Sequence, residues 1–138
     1  MSSMDRFFTR KSANEGVKLP LYDVNTGVAT DDFIRVMNFD SDAYKQASIE
    51  YHRRRLVYSG ETDKAKSAKL EIDNQATLAA ALILEWSFDE ELNQENAIKF
   101  LREAPQIQSM IEKIAGDRQL FFVLKSSDSL TGSQSKQS

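Results

Sequence analysis

The chain of 138 residues contains no cysteine, so disulfide bonds, thiolate nucleophiles and thiolate-bound zinc are excluded. It also has no basic surplus: 18 Lys and Arg stand against 21 Asp and Glu, which argues against a protein dedicated to the phosphate backbone of nucleic acids. No apolar run has the length of a signal peptide, and the longest, residues 79–84, is far too short to cross a bilayer. We therefore expect a soluble protein of the reducing cytoplasm, with one ordinary hydrophobic core and no membrane contact.

Motifs of catalysis and cofactor binding are missing as well. The five glycines lie far apart and form no phosphate loop, and no set of carboxylates and histidine has metal-ligand spacing, so we predict neither a cofactor nor a metal. His52, the single histidine, could act as a general base with Glu50, but it has no Ser or Cys partner and lies beside three arginines. A structural role suits it better, and we expect no enzyme.

What the sequence does contain predicts a mainly α-helical fold: a compact bundle of about five helices with a small N-terminal β-hairpin. Residues 1–18 show no period and are expected to form a mobile arm. Two short strands around a turn at Gly27 are predicted within residues 19–37. Residues 126–138, rich in Ser and Gln, are predicted to be a disordered tail. The folded domain is thus expected over residues 19–125.

The helices are predicted from caps, breaks and apolar spacing, over residues 41–58, 61–86, 93–104, 105–116 and 117–125. Asn93 can cap the third helix, and Pro105 must separate the third from the fourth because proline lacks the N–H that an internal turn requires. The second helix has the strongest pattern. Its apolar residues recur at spacings of four and three and would face the core: Ile72, Ala76, Ala79, Ile83 and Trp86.

Three local features have two interpretations each. The cluster Arg53–Arg55 fits a solvated face or internal ion pairs better than contact with nucleic acid, because at most two of the three share a helix face. The acidic run Asp89–Glu91 complements the positive end of the following helix; a calcium or peptide site is the more specific functional alternative. Trp86 and Phe88 could be an exposed docking pair, but a core position is favoured for them.

The residues of three segments, and the order of these segments, resemble those of a known family. These segments are KLPLYD before the turn glycine, FIRVMNFDSDAYKQA at residues 33–47, and WSFDEELNQENAIKFLREAPQIQSMI at residues 86–111, followed by Phe121 and Phe122. Over most of residues 5–124 the chain resembles a phage tail assembly chaperone of long-tailed bacteriophages. The positions that carry the resemblance in the last segment are expected to form scaffold: Trp86, Phe88, Asn93, Asn96, Leu101 and Pro105.

The resemblance implies a non-enzymatic role in the cytoplasm of the host bacterium. Such chaperones bind the tape measure protein, help to recruit tail tube subunits around it, and are absent from the mature virion. A ribosomal frameshift commonly makes a longer form that binds the tube protein, and a Ser/Gln-rich tail would suit such an extension as a linker. We expect amphipathic helices of the tape measure protein to enter an apolar groove lined by residues off the main core faces: Ile98, Phe100, Phe122 and Val123.

Two alternatives to the chaperone function stay open at this point. One is a small helical nucleic-acid-binding regulator that turns the Arg53–Arg55 helix toward phosphates. The other is a structural head or tail component that remains in the virion. The sequence also leaves self-association into a homo-oligomer open.

Overall fold

The computed structural model of the protein describes residues 3–122. The elements in chain order are α1 (Arg10–Glu15), β1 (Val17–Tyr22), β2 (Ala29–Val36), α2 (Asp42–Tyr58), α3 (Lys64–Ala80), β3 (Ile83–Trp86), α4 (Gln94–Glu103) and α5 (Pro105–Ala115), with 3-10 turns at Met4–Phe7 and Arg118–Leu120. The mainly helical fold with a small N-terminal hairpin is therefore confirmed. The tail predicted at residues 126–138 lies outside the described residues.

The three strands form one antiparallel sheet in the order β1-β2-β3. The predicted turn joins β1 to β2: the Asp23 carboxylate accepts the N–H groups of Asn25 and Thr26 at 2.8 and 2.9 Å, and Gly27 has a φ of 72°. The central strand β2 places Ile34 opposite Leu19 on one side and opposite Trp86 on the other. Because Ile34 and Val36 are completely buried, this strand is the centre of the core.

Strand β3 corrects the prediction of one helix over residues 61–86. Helix α3 ends at Ala80, the N–H of Leu82 closes a tight turn on Ala79 O at 3.0 Å, and the chain then pairs with β2. Ile83 and Trp86 suit a pleated sheet, and the edge of β2 offers unpaired N–H and C=O groups to them. Their spacing of three therefore imitated the period of a helix. Tertiary pairing decided the conformation.

The stripe predicted on α3 is only partly a core stripe. Ala76 and Ala79 are buried, whereas Ile72 on the same face is 59% exposed. All the buried residues of α3 lie in its C-terminal half. The apolar stripe therefore begins at Ile72, in a part of the helix that lies outside the core. The charged first half of the helix is mostly solvent-exposed, as expected from its composition.

The N-terminal segment differs from the irregular arm expected for residues 1–18. Residues 4–7 and 10–15 are helical, Ala13 is completely buried, and Arg10 forms a bidentate pair with Asp42 at 2.8 Å for both contacts. Gly16 then turns the chain into β1 with a φ of 76°, close against the carbonyl of Val36. Residues 4–15 are therefore not irregular, because contacts distant in sequence hold these helical turns, and the mobility expected for residues 1–18 stays a prediction.

The helices α2, α4 and α5 are confirmed close to their predicted bounds. The Ser41 hydroxyl accepts the N–H of Tyr44 at 3.2 Å to cap α2, and the Asn93 amide oxygen accepts the N–H of Asn96 at 2.8 Å to cap α4. Pro105 is the first residue of α5, where its missing N–H costs nothing. The helix predicted at residues 117–125 is wrong over its described part. Only one 3-10 turn forms there, and it is followed by the buried Phe121.

Candidate functional site

Three aromatic side chains meet at a surface recess between the end of β3 and α4. The ring centroids of Trp86 and Phe88 lie 5.2 Å apart, those of Phe88 and Phe100 5.0 Å, and those of Trp86 and Phe100 6.0 Å, in tilted or edge-to-face orientations. All three are half-buried and pack on the core with one side. We call this depression of about 370 Å³ the aromatic recess; its other lining residues are Glu90, Asn96, Lys99 and Glu103.

Local hydrogen bonds hold the loop that carries two of these rings. The Trp86 indole N–H donates to Glu90 O at 2.9 Å, and the Asn96 side-chain amide donates to Glu91 O at 2.8 Å. The Ser87 hydroxyl donates to the Asp32 carboxylate at 2.9 Å, which ties the loop to β2. The indole therefore has a fixed orientation that leaves part of its ring in solvent.

Helix α4 supplies the opposite wall of the recess. Asn96, Lys99, Phe100 and Glu103 are separated by three, one and three residues, so they share one face of the helix. The opposite face, with Ala97 and Leu101, is buried in the core. The helix start fixed by Asn93 thus decides which residues reach the recess.

The surroundings of the recess are acidic. The carboxylates of five residues near it form no ion pair within residues 3–122: Asp89, Glu90, Glu91, Glu95 and Glu103. Elsewhere, acidic side chains such as Asp40, Asp42 and Glu71 are paired with arginine. Carboxylates without an ion pair therefore lie around an apolar depression, as they also do elsewhere in residues 3–122, at Glu15, Asp31 and Glu112 for example. The positive end of the α4 dipole can stabilise the carboxylates near the start of the helix. Its effect does not extend to Glu103, which lies in the last turn.

The four residues predicted to bind a partner have different locations. Phe100 lines the aromatic recess. Ile98 is half-buried and lies at a separate depression with Glu95 and Arg102. Phe122 is half-buried just after the last 3-10 turn and is not among the lining residues, and Val123 lies outside the described residues. Their role in binding stays a prediction.

Sequence reasoning placed Trp86 and Phe88 in the scaffold and favoured a core position for both. The structure gives them a double role, because each is half-buried against the core and also forms a wall of the recess. The signal that could have shown this is their spacing of two. Side chains two apart on an extended chain point to the same side.

The arginine cluster is used inside the fold. Arg53 contacts the Glu50 carboxylate at 2.7 Å, Arg55 contacts that of Glu71 at 3.5 Å, and Arg54 donates to the side chain of Asn74. This outcome agrees with the ion-pair interpretation of the cluster. The exposed His52 has its ring centroid 5.2 Å from that of Tyr51, on which it packs edge-on.

The cluster belongs to a polar interface between α2 and α3. Glu71 accepts hydrogen bonds from the hydroxyls of Tyr51, at 2.6 Å, and Tyr58, and these bonds lower the pKa of Glu71 to about 2. The buried Asn74 donates to Tyr51 O at 3.0 Å and to the Tyr58 hydroxyl at 3.2 Å. Polar contacts therefore hold α2 on α3, while Tyr44 at its N-terminal end packs against the hydrophobic core, and no residue of α2 is fully buried.

Neither a metal centre nor a membrane-spanning element is found in the described chain. Among residues 3–122 no three or more His, Asp or Glu side chains are grouped so as to hold a metal ion. No helix in the same range is both long enough and apolar enough to cross a membrane.

The recess and most of the fold fall within a region that a family model matches. Residues 24–115, which include all the strands except β1 and the helices α2 to α5, match the family described as phage tail assembly chaperone. This is most of the chain, and the chain belongs to that family. Searches of curated proteins and of solved structures gave no match.

Proposed function

We propose that this protein binds the tape measure protein of its phage through the aromatic recess and helps to recruit tail tube subunits around it. The observation that carries the proposal is the set of half-exposed rings of Trp86, Phe88 and Phe100, which lie inside the region that defines the family. Aromatic side chains grouped at a surface depression are typical of sites where a protein partner binds. An assembly chaperone gives such a cluster a use.

The recess suits the apolar face of an amphipathic helix. An anchor side chain from the partner would pack between the three rings, and neighbouring turns would lie along α4. Binding energy at such sites is concentrated in a few central aromatic contacts, so Phe100, Trp86 and Phe88 would account for most of it. The charged lining residues are Glu90, Glu103 and Lys99, so the two carboxylates outnumber the one cation and would favour lysine or arginine next to the anchor.

The protein would act by binding alone, without catalysis. While bound, it would cover apolar surface of the tape measure protein that otherwise aggregates, and it would leave before the tail is complete. Its place of action would be the host bacterial cytoplasm, and the mature virion would lack it. A longer frameshifted form would make the contact with the tail tube protein.

Co-expression with the tape measure protein tests the proposal. With the native chain, we expect soluble tape measure protein that co-purifies with the chaperone, and Phe100→Ala should reduce the co-purified amount by about tenfold, the loss typical of a central aromatic contact. Phe8→Ala is the matched control, because Phe8 is 66% exposed and lies outside the recess. Equal recovery with native protein and Phe100→Ala would refute the recess as the binding site.

A further inference from the structure

Two charged residues of α4 separate the aromatic recess from the depression that contains Ile98. Lys99 and Glu103 line both depressions, so together they form the boundary between them. They are four positions apart and therefore lie on the same side of the helix, with Lys99 about 6 Å nearer its start. We call these two residues the charged ridge.

The fold does not use the charges of this ridge. Lys99 and Glu103 are exposed, and neither forms an ion pair within residues 3–122. A lysine four positions before a glutamate is the weaker order for a pair on a helix. Arg102, which lies between them in the chain, is by contrast paired with Asp73 of α3. The charged ridge thus offers one positive and one negative charge to a helix that enters the recess.

The macrodipole of α4 favours one direction for such a helix. In an antiparallel arrangement, the positive N-terminal end of the incoming helix lies near Glu103 and the negative end of α4. Its last turn, where lysine and arginine are favoured, then faces Glu90 in the loop before α4. A parallel helix would instead bring its negative end to Glu103.

Direction and charge together define the occupant. We propose that the recess selects a helix of the tape measure protein that runs antiparallel to α4 and carries a basic residue four positions before an acidic one. The basic residue faces Glu103, and the acidic residue faces Lys99, on either side of the apolar anchor. This inference rests on the proposed function and adds the direction and the charge pattern of the bound helix.

The selection also excludes a class of segments. A helix with basic residues alone gains contact with Glu90 and Glu103 but meets Lys99 with a like charge. The recess therefore discriminates against uniformly basic helices, and the mixed pattern binds better than either sign alone.

Exchange of the two ridge charges tests the selection. The double substitution Lys99→Glu with Glu103→Lys keeps the net charge and the three rings. It should lower the amount of co-purified tape measure protein by about tenfold, because two attractions become two repulsions. The matched control is Lys11→Glu with Glu15→Lys on α1. These residues have the same order and spacing, are exposed, form no ion pair within residues 3–122 and do not line the recess. Circular dichroism confirms that both variants fold.

Two synthetic helical peptides of equal composition, both without tryptophan, test the order of the charges. One carries lysine four positions before glutamate and the other carries glutamate four positions before lysine, each around a phenylalanine anchor. Titration followed by Trp86 emission should show that the native chain binds the lysine-first peptide about tenfold more tightly. The exchanged variant should show the reverse preference, and high salt should reduce both differences.

Several results would overturn the inference. They are equal recovery of the tape measure protein with the native chain and the exchanged variant, a native chain that binds neither peptide or both equally, and a preference that the exchange does not reverse. If Phe100→Ala still loses the tape measure protein in such a case, the proposed function stands and only the selection fails. If Phe100→Ala loses nothing, the proposed function fails as well.

Discussion

Trp86 and Phe100 meet edge to face, with ring centroids 6.0 Å apart, although fourteen positions separate them in the chain. One ring closes a strand and the other lies in the second turn of a helix. The link between them is the loop after β3, which the Ser87 hydroxyl ties to Asp32 and the Asn93 cap ends. The surface proposed to bind a partner therefore depends on the exact transition from strand to helix.

The loop cap should control the recess. Asn93→Ala removes the acceptor for the Asn96 N–H, and we expect a loss of about 1 kcal/mol in the free energy of unfolding. Because Asn96 also lines the recess, the same variant should weaken recovery of the tape measure protein. Urea unfolding measures the first effect and co-purification the second. Gln94→Ala, at an exposed neighbouring position, is the control and should change stability little.

Asn38 should be the most sensitive polar residue of the core. It is 1% exposed, its side-chain amide donates to Ala115 O at 2.9 Å, and its oxygen accepts the N–H of Asp40 at 2.8 Å. Asn38→Ala leaves the half-buried N–H of Asp40 without its acceptor and leaves Ala115 O with only the hydrogen bond from the Phe39 N–H, so it should cost about 1 to 3 kcal/mol. Chemical denaturation checks this value, with the exposed Gln106→Ala as control. A loss as small as that of the control would show that the two hydrogen bonds do not matter.

Two glycines with nearly the same φ should respond differently to alanine. A Cβ at Gly16 (φ 76°) would lie 2.8 Å from Val36 O, whereas a Cβ at Gly27 (φ 72°) would meet no atom within 4 Å. Gly27→Ala should therefore cost only the backbone strain, about 1 kcal/mol, and Gly16→Ala should cost clearly more. Thermal unfolding of the pair measures the difference. Equal losses would mean that the backbone near Val36 yields without cost.

Acid should loosen the hairpin of α2 and α3. The hydrogen bonds from Tyr51 and Tyr58 lower the pKa of Glu71 to about 2 from a model-compound value of 4.5. The stabilisation from the ionised carboxylate is therefore fully present above about pH 4.5 and is lost as the pH falls toward 2. Glu71→Gln should be less stable than the native chain at pH 7 and should vary less with pH in this window. Urea unfolding at several pH values checks this, and the exposed Glu95→Gln should retain the native pH profile.

Local signals predicted the parts of the fold that local interactions determine. The cap Asn93, the break at Pro105 and the turn at Gly27 act within a few residues, and each lies where the sequence indicated. Strand β3 and the ordered N-terminal segment depend on partners far along the chain, such as β2 for Trp86 and Asp42 for Arg10. Such pairings leave no periodic mark in the sequence, so pattern analysis could not find them.

The candidate site was predicted only in part, for a similar reason. Phe100 was singled out because it lay off the inner face of its helix, and the structure places it in the recess. Trp86 and Phe88 looked like core residues because Trp86 closed the apolar stripe of the helix predicted over residues 61–86, and Phe88 followed it closely. Once residues 83–86 form a strand, both rings reach the surface beside Phe100.

Trp86 is the single tryptophan of the chain, and its indole forms part of the recess, so its fluorescence reports on the proposed binding surface alone. The most direct test titrates purified fragments of the tape measure protein into a low, fixed concentration of the chaperone. With fragments that lack tryptophan, or after their own emission is subtracted, a partner helix that covers the rings should shift the emission of Trp86 to shorter wavelength in a saturable way, and Phe100→Ala should weaken this binding by about tenfold. A complex that forms while the Trp86 emission stays unchanged would contradict the account.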